Sequence, residues 1–248
     1  MLRKITRGAA FFGLTLGYGL GVYAAVTRAR GSRAKVAARD SMSGAWARAL
    51  LSSFGIEVVV AGDAGGGSPG GRIVVANHRS IIDIAILLSL FGGAFVSRAD
   101  LAEWPIVGPA ARAAGTIFVD RGNKKSGSQA VEAMVARLAT GDTVCVFPEG
   151  TTFEDDTVRP FKPGATGSAA RAKAPVVPVA LVYPLGSGAA FGGESFLQHL
   201  GRLADTKATR VFVEIGAPMW AEEGEALEAF TERSRAEVTR LSAVGRAR

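Results

Sequence analysis

The chain has 248 residues, of which 48% are hydrophobic and 21% are charged, a composition that excludes a disordered tail or a coiled coil. A single cysteine, Cys145, excludes an internal disulfide framework, and two histidines argue against a zinc site. The net charge of +7 comes from the N-terminus, because residues 1–48 contain nine Lys or Arg and one acidic residue. The remaining 20 basic and 21 acidic residues nearly cancel, so we expect no nucleic-acid partner.

An uncharged apolar segment, residues 9–26, lies between two groups of basic residues. As a helix it would be about 27 Å long, slightly shorter than a typical ~30 Å hydrocarbon core. Gly13, Gly17 and Gly21 lie four residues apart, which predicts a small-residue face where two helices approach closely in lipid. The basic flanks suit anionic lipid headgroups, so we predict that this segment anchors the chain to membrane lipids.

Two other interpretations of residues 1–26 stay open: a cleaved signal peptide and a buried helix of a soluble protein. The apolar segment is longer than the apolar core of a usual signal peptide. The sequence TRARG that follows it contains no strong small-residue cleavage site. Both observations favour the membrane anchor.

Residues 34–54 predict a second, amphipathic helix. One stripe of this helix is apolar (Met42, Trp46, Leu50 and Phe54), and its basic residues (Arg39 and Arg48) are expected elsewhere on the surface. Such a helix is expected to lie at the membrane interface. We therefore divide the chain into an N-terminal membrane-anchoring helical segment, residues 1–54, and an α/β domain, residues 55–248.

From residue 56 onward, short β-rich runs alternate with amphipathic helices. The predicted strands are 56–62, 72–77, 94–97, 116–121, 143–148, 176–183 and 210–216. The predicted helices are 80–91, 99–113, 126–139, 164–173, 194–204 and 222–243. Continuous apolar strands between helices predict an α/β fold, a mostly parallel central sheet with helices on both faces.

Polar residues follow three of these strands at their carboxyl ends. They are Asn77-His78, Asp120-Arg121 and Glu149-Gly150. In open parallel sheets, ligands bind in the crevice outside the carboxyl ends of the strands. The three strand ends therefore predict one shared site.

His78 and Asp83 lie five residues apart in the sequence NHRSIID, at the start of a predicted helix. A tight turn would bring the carboxylate to an imidazole nitrogen, where it would hold the tautomer while the other nitrogen acts as a base. The alternative is a capping box, because Ser80 and Asp83 also have that spacing. No serine or cysteine nearby pairs obviously with His78, so the hydroxyl that it activates is expected to belong to the substrate.

Basic and hydroxyl side chains near these strand ends are candidates to bind a polar headgroup. Arg121 has a guanidinium that can hold a phosphate through two hydrogen bonds, unless it pairs with Asp120. Lys162 is a second basic candidate, unless it is a solvated lysine before a helix. A glycine allows close backbone approach, and the carboxylate and hydroxyls beside it can bind a headgroup, although the same residues suit a plain turn. That segment contains Glu149, Gly150, Thr151 and Thr152.

Other patterns are not expected to form sites. Residues 66–70 match the G-x-S-x-G pattern of serine hydrolases, but Pro69 lacks the backbone N–H that the residue after the serine must donate. His199, between two leucines of a predicted helix, is interpreted as structural, and Cys145 as a core residue. Nucleotide-binding and metal-ligand patterns are absent from the sequence, so we expect no metal and no bound cofactor.

Four sequence blocks, in this order, resemble the glycerolipid acyltransferases, the PlsC-like group that includes lysophosphatidic acid acyltransferases. NHRSIID resembles the NHxxxxD motif of that family. The later blocks are GTIFVDR (115–121), FPEGTT (147–152) and VVPVAL (176–181). The resemblance covers residues 40–240, and four blocks in the correct order are more specific than any one of them.

The resemblance implies transfer of a fatty acyl group from acyl-CoA or an acyl-carrier protein to the free hydroxyl of a lysophospholipid. It implies that His78 is the general base, that Asp83 orients it, and that no acyl-enzyme forms. The implied substrate-binding residues are Asn77, Arg121, Glu149, Gly150, Thr151, Thr152, Lys162 and Pro178, with Pro178 in an apolar wall near the acyl chain.

The acceptor is expected to be lysophosphatidic acid, which would give phosphatidic acid. The third block departs from the usual FPEGTR of the family, because Thr152 replaces the arginine and removes one phosphate contact. Either Arg159 or Lys162 is a candidate to replace that contact, and a lyso-ornithine lipid is the alternative acceptor. The alternatives from other classes are a lipid hydrolase or thioesterase and a non-catalytic membrane module. The expected location is the bacterial inner membrane, with the active site on the cytoplasmic side.

Overall fold

The computed structural model describes residues 2–65 and 70–248, and within them a seven-stranded sheet with helices on both faces. Most of the G-x-S-x-G pattern lies outside the described residues. The strands are β1 (Ile56–Ala61), β2 (Arg72–Ala76), β3 (Ala94–Arg98), β4 (Ile117–Val119), β5 (Thr143–Val146), β6 (Val176–Val182) and β7 (Thr209–Ile215). The helices are α1 (Leu2–Arg28), α2 (Ser32–Phe54), α3 (Ile82–Phe91), α4 (Val107–Ala113), α5 (Lys124–Ala139), α6 (Gly164–Ala172), α7 (Phe196–Asp205) and α8 (Leu227–Arg246), with a 3-10 helix at Ala99–Glu103.

The strand order is β1-β7-β6-β2-β5-β3-β4, and the sheet is parallel except where β6 meets β7. Strand β2 lies in the middle, with Val75 opposite Val146 on β5 and Pro178 on β6. The predicted mostly parallel α/β fold is confirmed. The carboxyl ends of β2 and β5 are neighbours, which brings two of the three predicted strand ends together.

Alternate residues of each strand supply two separate cores, one on each face of the sheet. Val74 packs with α1, α2, α3 and α7, whereas Val75 packs with α5, α6 and α8. Both side chains are completely buried. Cys145 lies in the first core, as predicted for a buried residue. Burial on both faces explains why the strands read as continuous apolar runs.

The single helix predicted over 99–113 is wrong, because the chain breaks between the 3-10 helix and α4. Pro105 disfavours helical geometry in the residue before it, and Trp104 is extended there. Ile106 then has a φ of 66°, a left-handed conformation that a β-branched residue seldom adopts. The WPIV segment therefore turns the chain before α4 begins.

Two other predicted helices begin at different residues. Helix α5 begins at Lys124, because the Asn123 side chain accepts hydrogen bonds from the backbone N–H groups of the first turn. Helix α8 begins at Leu227 rather than residue 222, because Glu222 and Glu225 form a turn before it. Side-chain and backbone hydrogen bonds, which apolar spacing does not reveal, set these boundaries.

The packing face of α1 consists of large residues rather than the predicted glycines. Phe11, Thr15, Tyr18 and Val22 are buried, and Tyr18 stacks on Trp46 of α2 with ring centroids 5.3 Å apart. Two of the three predicted contact glycines have open space beside them, and only Gly21 touches α2, at Met42. Gly13 and Gly17 therefore make no close helix contact within the described chain, and their predicted role in helix contacts in lipid stays a prediction.

Helix α1 is long and apolar enough to cross a membrane, a criterion that core helices and signal sequences also meet. Its outward face exposes large apolar side chains that the described chain does not cover. They include Leu16, Leu20 and Tyr23, the last of these 69% exposed.

The stripe of α2 that was expected at the membrane interface packs inside the protein. Leu50 and Phe54 are buried in the same core as α3, and Trp46 is partly buried against that core and α1. Arg39, expected on the surface, is only 4% exposed. The expected interfacial orientation is wrong, because this apolar face is covered by other helices of the chain.

A buried ion network explains why Arg39 lies inside. Its guanidinium donates to both carboxylate oxygens of Asp142, at 2.8 and 2.6 Å, and to Asp40 at 2.6 Å. Arg137 also donates to Asp142, at 2.9 Å. Burial by itself would raise the pKa of Asp142, but the hydrogen bonds from Arg39 and Arg137 hold this pKa below its usual range. The network ties α2 to the turn between α5 and β5.

We expect Arg39→Ala to lower the free energy of unfolding by about 3–5 kcal/mol, because it leaves the buried Asp142 with one cation instead of two. The exposed Arg48 of the same helix is the matched control, and Arg48→Ala should change stability by no more than about 0.5 kcal/mol. Denaturant unfolding in detergent, followed by tryptophan fluorescence, measures both. Equal effects of the two substitutions would contradict a structural role for the network.

Candidate active site

His78 and Asp83 are in contact, as predicted, at the carboxyl end of β2. His78 Nδ1 lies 2.8 Å from Asp83 Oδ2. The Asp83 side chain is fully buried, whereas the His78 side chain is 18% exposed. His78 stacks face to face on Phe147, which follows β5, with ring centroids 3.9 Å apart. The carboxylate and the aromatic ring thus hold the imidazole from two sides.

The hydrogen bonds of Asp83 decide which nitrogen of His78 carries the hydrogen. Asp83 Oδ2 accepts the backbone N–H groups of Arg79 and Ser80, at 2.7 and 2.8 Å. An oxygen that accepts hydrogen bonds from two peptide N–H groups also acts as an acceptor toward the imidazole, so Nδ1 of His78 is the donor. Nε2 of His78 makes no hydrogen bond to a described residue and therefore has a free lone pair.

Tyr183 completes the surroundings of Asp83 from the end of β6. Its hydroxyl donates a short hydrogen bond to Asp83 Oδ1. Burial, and then the charge of Asp83, raise the pKa of this phenol well above its usual range, so it stays protonated and donates. Both carboxylate oxygens are thus held by hydrogen bonds.

The capping-box alternative for Ser80 and Asp83 is only half present. Asp83 does accept the Ser80 N–H, but the Ser80 hydroxyl does not cap α3, whose N-cap position is Ile81. The hydroxyl instead meets Nε2 of His199 at 3.1 Å. His199, interpreted from the sequence as structural, is completely buried.

The His78 side chain forms part of the wall of a cavity of about 530 Å³. The cavity lies between the sheet and the N-terminal helices and is mostly apolar. Its apolar lining includes Phe11 and Tyr18 of α1, Trp46 and Leu50 of α2, and Trp104, Val107 and Ala110 around α4. Two N-terminal helices that sequence analysis assigned to membrane anchoring therefore also build the site.

Charged and hydroxyl groups also line this cavity, and three charged ones, Arg98, Asp100 and Arg121, lie near one another. Arg121 lines it, and so do Arg98 and Asp100, whose side chains pair at 2.5 Å. Burial, and then the charge of Arg98, lower the pKa of Arg121, which has no carboxylate within salt-bridge distance among the described residues. Gly150, Thr151 and Thr152 also line the cavity. Four of the predicted binding residues therefore line the same cavity as His78.

Glu149 does not face the cavity. Its carboxylate is fully buried and pairs with Arg79 at 3.0 Å. It also accepts the backbone N–H groups of His78 and Arg159, at 2.8 and 3.0 Å. These contacts engage both carboxylate oxygens that were expected to bind a headgroup, and Glu149 is not among the residues that line the cavity. Glu149 instead holds the segment that carries His78.

Three other predicted binding residues also lie away from the cavity lining. Asn77 is buried, and its amide makes two 2.8 Å hydrogen bonds with the backbone of Leu181. Pro178 pairs with Val75 and lies beside Gly216 and α8, so it does not line the cavity, and its place near an acyl chain stays a prediction. Lys162 is exposed and lies against Gly150 behind the cavity-lining loop. The alternation of side chains along β6 decides the position of Pro178.

Sequence analysis missed Arg79 and Tyr183. Arg79 is 1% exposed, and it donates to Glu149 and to the backbone oxygens of His78 and Thr157. Its position between two candidate residues in NHRSIID was the available signal. Tyr183 lies two residues after the end of the fourth block, and only the fold brings it to Asp83. Among the described residues, no three His, Cys, Asp or Glu side chains form a group that could hold a metal ion.

Comparison with known proteins identifies related chains. Residues 62–182 match the family model described as Acyltransferase. The chain is 31% identical, over 224 residues, to a lyso-ornithine lipid O-acyltransferase of Pseudomonas aeruginosa, a match that covers 88% of this chain and 85% of that protein. It is 33% identical to a 1-acyl-sn-glycerol-3-phosphate acyltransferase of Neisseria gonorrhoeae over 115 residues, which are 46% of this chain and 45% of that one.

The fold is similar to that of a solved structure. The crystal structure of the 1-acyl-sn-glycerophosphate (LPA) acyltransferase PlsC from Thermotoga maritima superposes with a TM-score of 0.74. The match covers 98% of this chain and 95% of that one, at 23% sequence identity. The shared architecture therefore includes the two N-terminal helices as well as the sheet.

We expect Glu149→Gln to destabilise the fold by about 3–5 kcal/mol, because it leaves the buried guanidinium of Arg79 without its counter-charge. Glu154→Gln, at an exposed position in the following loop, is the matched control and should be nearly neutral. Denaturant unfolding of both variants measures the difference. Full stability of Glu149→Gln would mean that this carboxylate is dispensable to the fold and would return it to the headgroup-binding role.

Proposed function

We propose that this chain, which belongs to the acyltransferase family, transfers a fatty acyl group to the free hydroxyl of a lysolipid. The observation that carries this proposal is the position of His78: its side chain lines an apolar cavity, Asp83 holds its Nδ1, and its Nε2 makes no hydrogen bond to a described residue. The arrangement combines a base with a space suited to an acyl chain.

In the proposed reaction, His78 Nε2 takes the proton of the acceptor hydroxyl as that oxygen attacks the acyl thioester carbonyl. The C–S bond then breaks, and the imidazolium gives its proton to the departing thiolate, which leaves as the free thiol. Asp83 keeps Nδ1 protonated and stabilises the imidazolium while it exists. Ser80, the hydroxyl nearest in sequence, is directed away toward His199, which supports direct transfer to the substrate without an acyl-enzyme.

The apolar cavity is proposed to hold the acyl chain. Burial of hydrocarbon contributes about 0.8 kcal/mol per CH₂ group, so a cavity lined by aromatic and aliphatic side chains favours a long chain. Its apolar lining includes residues of α1, α2 and α4, and the polar headgroup is proposed to lie near the charged residue Arg121. The thioester would then lie between them, at His78.

Two acceptors fit the charged side of the cavity, and the observations favour a lyso-ornithine lipid. The relative that aligns over 85% of its own length acts, by its name, on that lipid. An ornithine headgroup carries both a carboxylate and an ammonium, which complement Arg121 and Asp100 respectively. Lysophosphatidic acid, the acceptor expected from the sequence, is the second candidate, because Arg121 suits a phosphate and Thr152 still offers a hydroxyl.

The donor is proposed to be acyl-CoA or an acyl-carrier protein, with no further cofactor. The location is proposed to be the bacterial inner membrane, with the active site on the cytoplasmic side, where both donors occur. The apolar outward face of α1 and the basic residues that flank it support contact with membrane lipids. In this proposal residues 1–54 both anchor the enzyme and cover the acyl chain.

We expect detergent-purified enzyme to release thiol from acyl-CoA only when an acceptor is present. His78→Ala should lower that rate by about 10²- to 10⁴-fold, which is the usual contribution of a positioned base. The assay compares lyso-ornithine lipid, lysophosphatidic acid and no acceptor. Release without an acceptor, or full activity in His78→Ala, would contradict the mechanism, and equal release with and without acceptor would indicate a thioesterase or hydrolase.

We expect Arg121→Ala to raise the KM for the acceptor by roughly 10- to 150-fold, because a hydrogen bond to a charged group contributes about 1.5–3 kcal/mol. The KM for acyl-CoA should change much less. Lys125→Ala, which removes an exposed charge from the start of α5 outside the cavity lining, is the matched control. Steady-state kinetics with each acceptor measures both constants. An unchanged acceptor KM in Arg121→Ala would remove Arg121 from the binding site.

A further inference from the structure

A second histidine–carboxylate pair lies behind the first. His199 Nδ1 is 2.7 Å from Glu194 Oε1, and the same oxygen accepts a hydrogen bond from Arg202 at 2.5 Å. The His199 side chain is completely buried, although its ring has two polar nitrogen atoms, each of which needs a hydrogen-bond partner there. The proposed reaction makes no use of this pair. Its position points to a role, because its other nitrogen reaches the catalytic segment.

The hydrogen on His199 can be assigned from its partners. Hydrogen bonds from Arg202, against the opposing effect of burial, lower the pKa of Glu194 to about 2, so this carboxylate is ionised and accepts. Nδ1 of His199 also lies 3.0 Å from the Arg202 guanidinium, but that NH₂ group already donates to Glu194 at the shorter distance of 2.5 Å. A lone pair on Nδ1 facing the ionised carboxylate at 2.7 Å would be repelled, so Nδ1 carries the hydrogen. Burial lowers the pKa of His199, which leaves the ring neutral. Nε2 is then an acceptor, and the Ser80 hydroxyl donates to it.

The contact with Ser80 leads directly to the His78–Asp83 pair. Ser80 donates its hydroxyl to His199 at 3.1 Å and its backbone N–H to Asp83 Oδ2 at 2.8 Å. Asp83 Oδ2 is the atom that holds His78. A second hydrogen bond comes from the loop before α7: the Phe191 N–H donates to the carbonyl oxygen of Arg79, the residue before Ser80, at 2.7 Å. The orientation of two peptide donors toward Asp83 therefore depends on groups around α7.

We propose that His199 is a positioning residue for the base His78, acting through the Ser80 hydroxyl and the hydrogen bonds that orient Asp83. The inference rests on the proposed acyl transfer and deepens it. His199 neither touches the cavity nor reaches the reacting atoms, and it holds the segment that does. Without it the Ser80 peptide can rotate, and Asp83 loses a donor that fixes its direction toward His78.

The Ser80–His199–Glu194 arrangement also has the composition of a nucleophilic triad. The Ser80 side chain is completely buried and is not among the residues that line the cavity, so a thioester in the cavity has no path to its oxygen. Its hydrogen-bonding geometry therefore serves position rather than attack. A trapped acyl-enzyme on Ser80 would overturn this assignment.

The test compares five variants of the chain in detergent, with acyl-CoA and lyso-ornithine lipid or lysophosphatidic acid. His199→Leu removes the acceptor, His199→Gln retains an acceptor near the position of Nε2, and Ser80→Ala removes the donor. Thr166→Val is the matched control, because it breaks a buried hydroxyl pair with Thr231 on the other face of the sheet. The double variant Ser80→Ala/His199→Leu completes a mutant cycle.

We expect His199→Leu and Ser80→Ala to lower kcat by roughly 10- to 100-fold each, since small displacements of catalytic groups have effects of that size. The KM for acyl-CoA should stay within about twofold in this comparison. The double variant should be no slower than the slower single variant, because each single substitution already removes the same hydrogen bond between Ser80 and His199. His199→Gln should recover most of the rate, and Thr166→Val should lose stability without losing kcat.

Several results would overturn the inference. They are a wild-type kcat in Ser80→Ala, losses that multiply in the double variant, and a His199→Gln rate as low as that of His199→Leu. If His199→Leu does not fold, Ser80→Ala and His199→Gln still decide the question. Wild type and His78→Ala, measured in parallel, separate the two proposals: absence of transfer by the wild type contradicts the proposed function, whereas normal Ser80→Ala activity contradicts only the positioning role.

The pH dependence of stability tests the neutral state of His199. The groups that face the ring are Glu194 before α7, Arg202 on α7, and Ser80 and Asp83 beside α3. Because the folded-state pKa lies below the unfolded value of 6.5, the stability of the wild type relative to His199→Gln should fall as the pH decreases below 6.5. Denaturant unfolding between neutral and mildly acidic pH measures this difference. A constant difference would contradict the acceptor role of Nε2.

Discussion

The ion pair between Arg79 and Glu149 joins the carboxyl ends of β2 and β5, and both side chains are buried there. Each charge would be costly in this position without the other, so the two strand ends cannot move apart independently. The same carboxylate holds the His78 N–H, and the same guanidinium holds the His78 carbonyl oxygen. The backbone of His78 is thereby fixed before Asp83 orients its ring. The residues proposed to carry the reaction therefore depend on a pair that lies outside the cavity.

The site also depends on the two N-terminal helices, which supply part of the apolar wall of the cavity. Helix α1 packs large residues against α2 and α4, and the space left between them and the sheet is the apolar cavity. The buried network of Arg39 and Asp142 fixes α2 to the sheet. The helices that present apolar residues outward therefore also present others to the cavity that His78 lines. In the proposed function, one helical pair serves both lipid contact and acyl-chain binding.

Much of the fold could be predicted from the sequence, because the strands are short apolar runs and the helices between them are periodic. The His78–Asp83 contact could also be predicted, since five residues across one tight turn leave few other geometries. The roles of Asn77, Glu149 and Pro178 could not, because each depends on the direction of one side chain at a strand end. The break at Pro105 shows the same limit, since the periodicity of 99–113 continues across it.

The sequence by itself determined the parallel sheet, the position of the candidate base at a strand end and the polar residues around it. These follow from local patterns: alternation, apolar runs and short spacings. Only the tertiary structure decided which groups meet across long separations, such as Tyr183 with Asp83 and His199 with Ser80. The physical reason is that hydrogen bonds and ion pairs in a core depend on side-chain directions that residue types do not specify. Burial then makes these contacts obligatory, because a polar group without a partner there is strongly unfavourable.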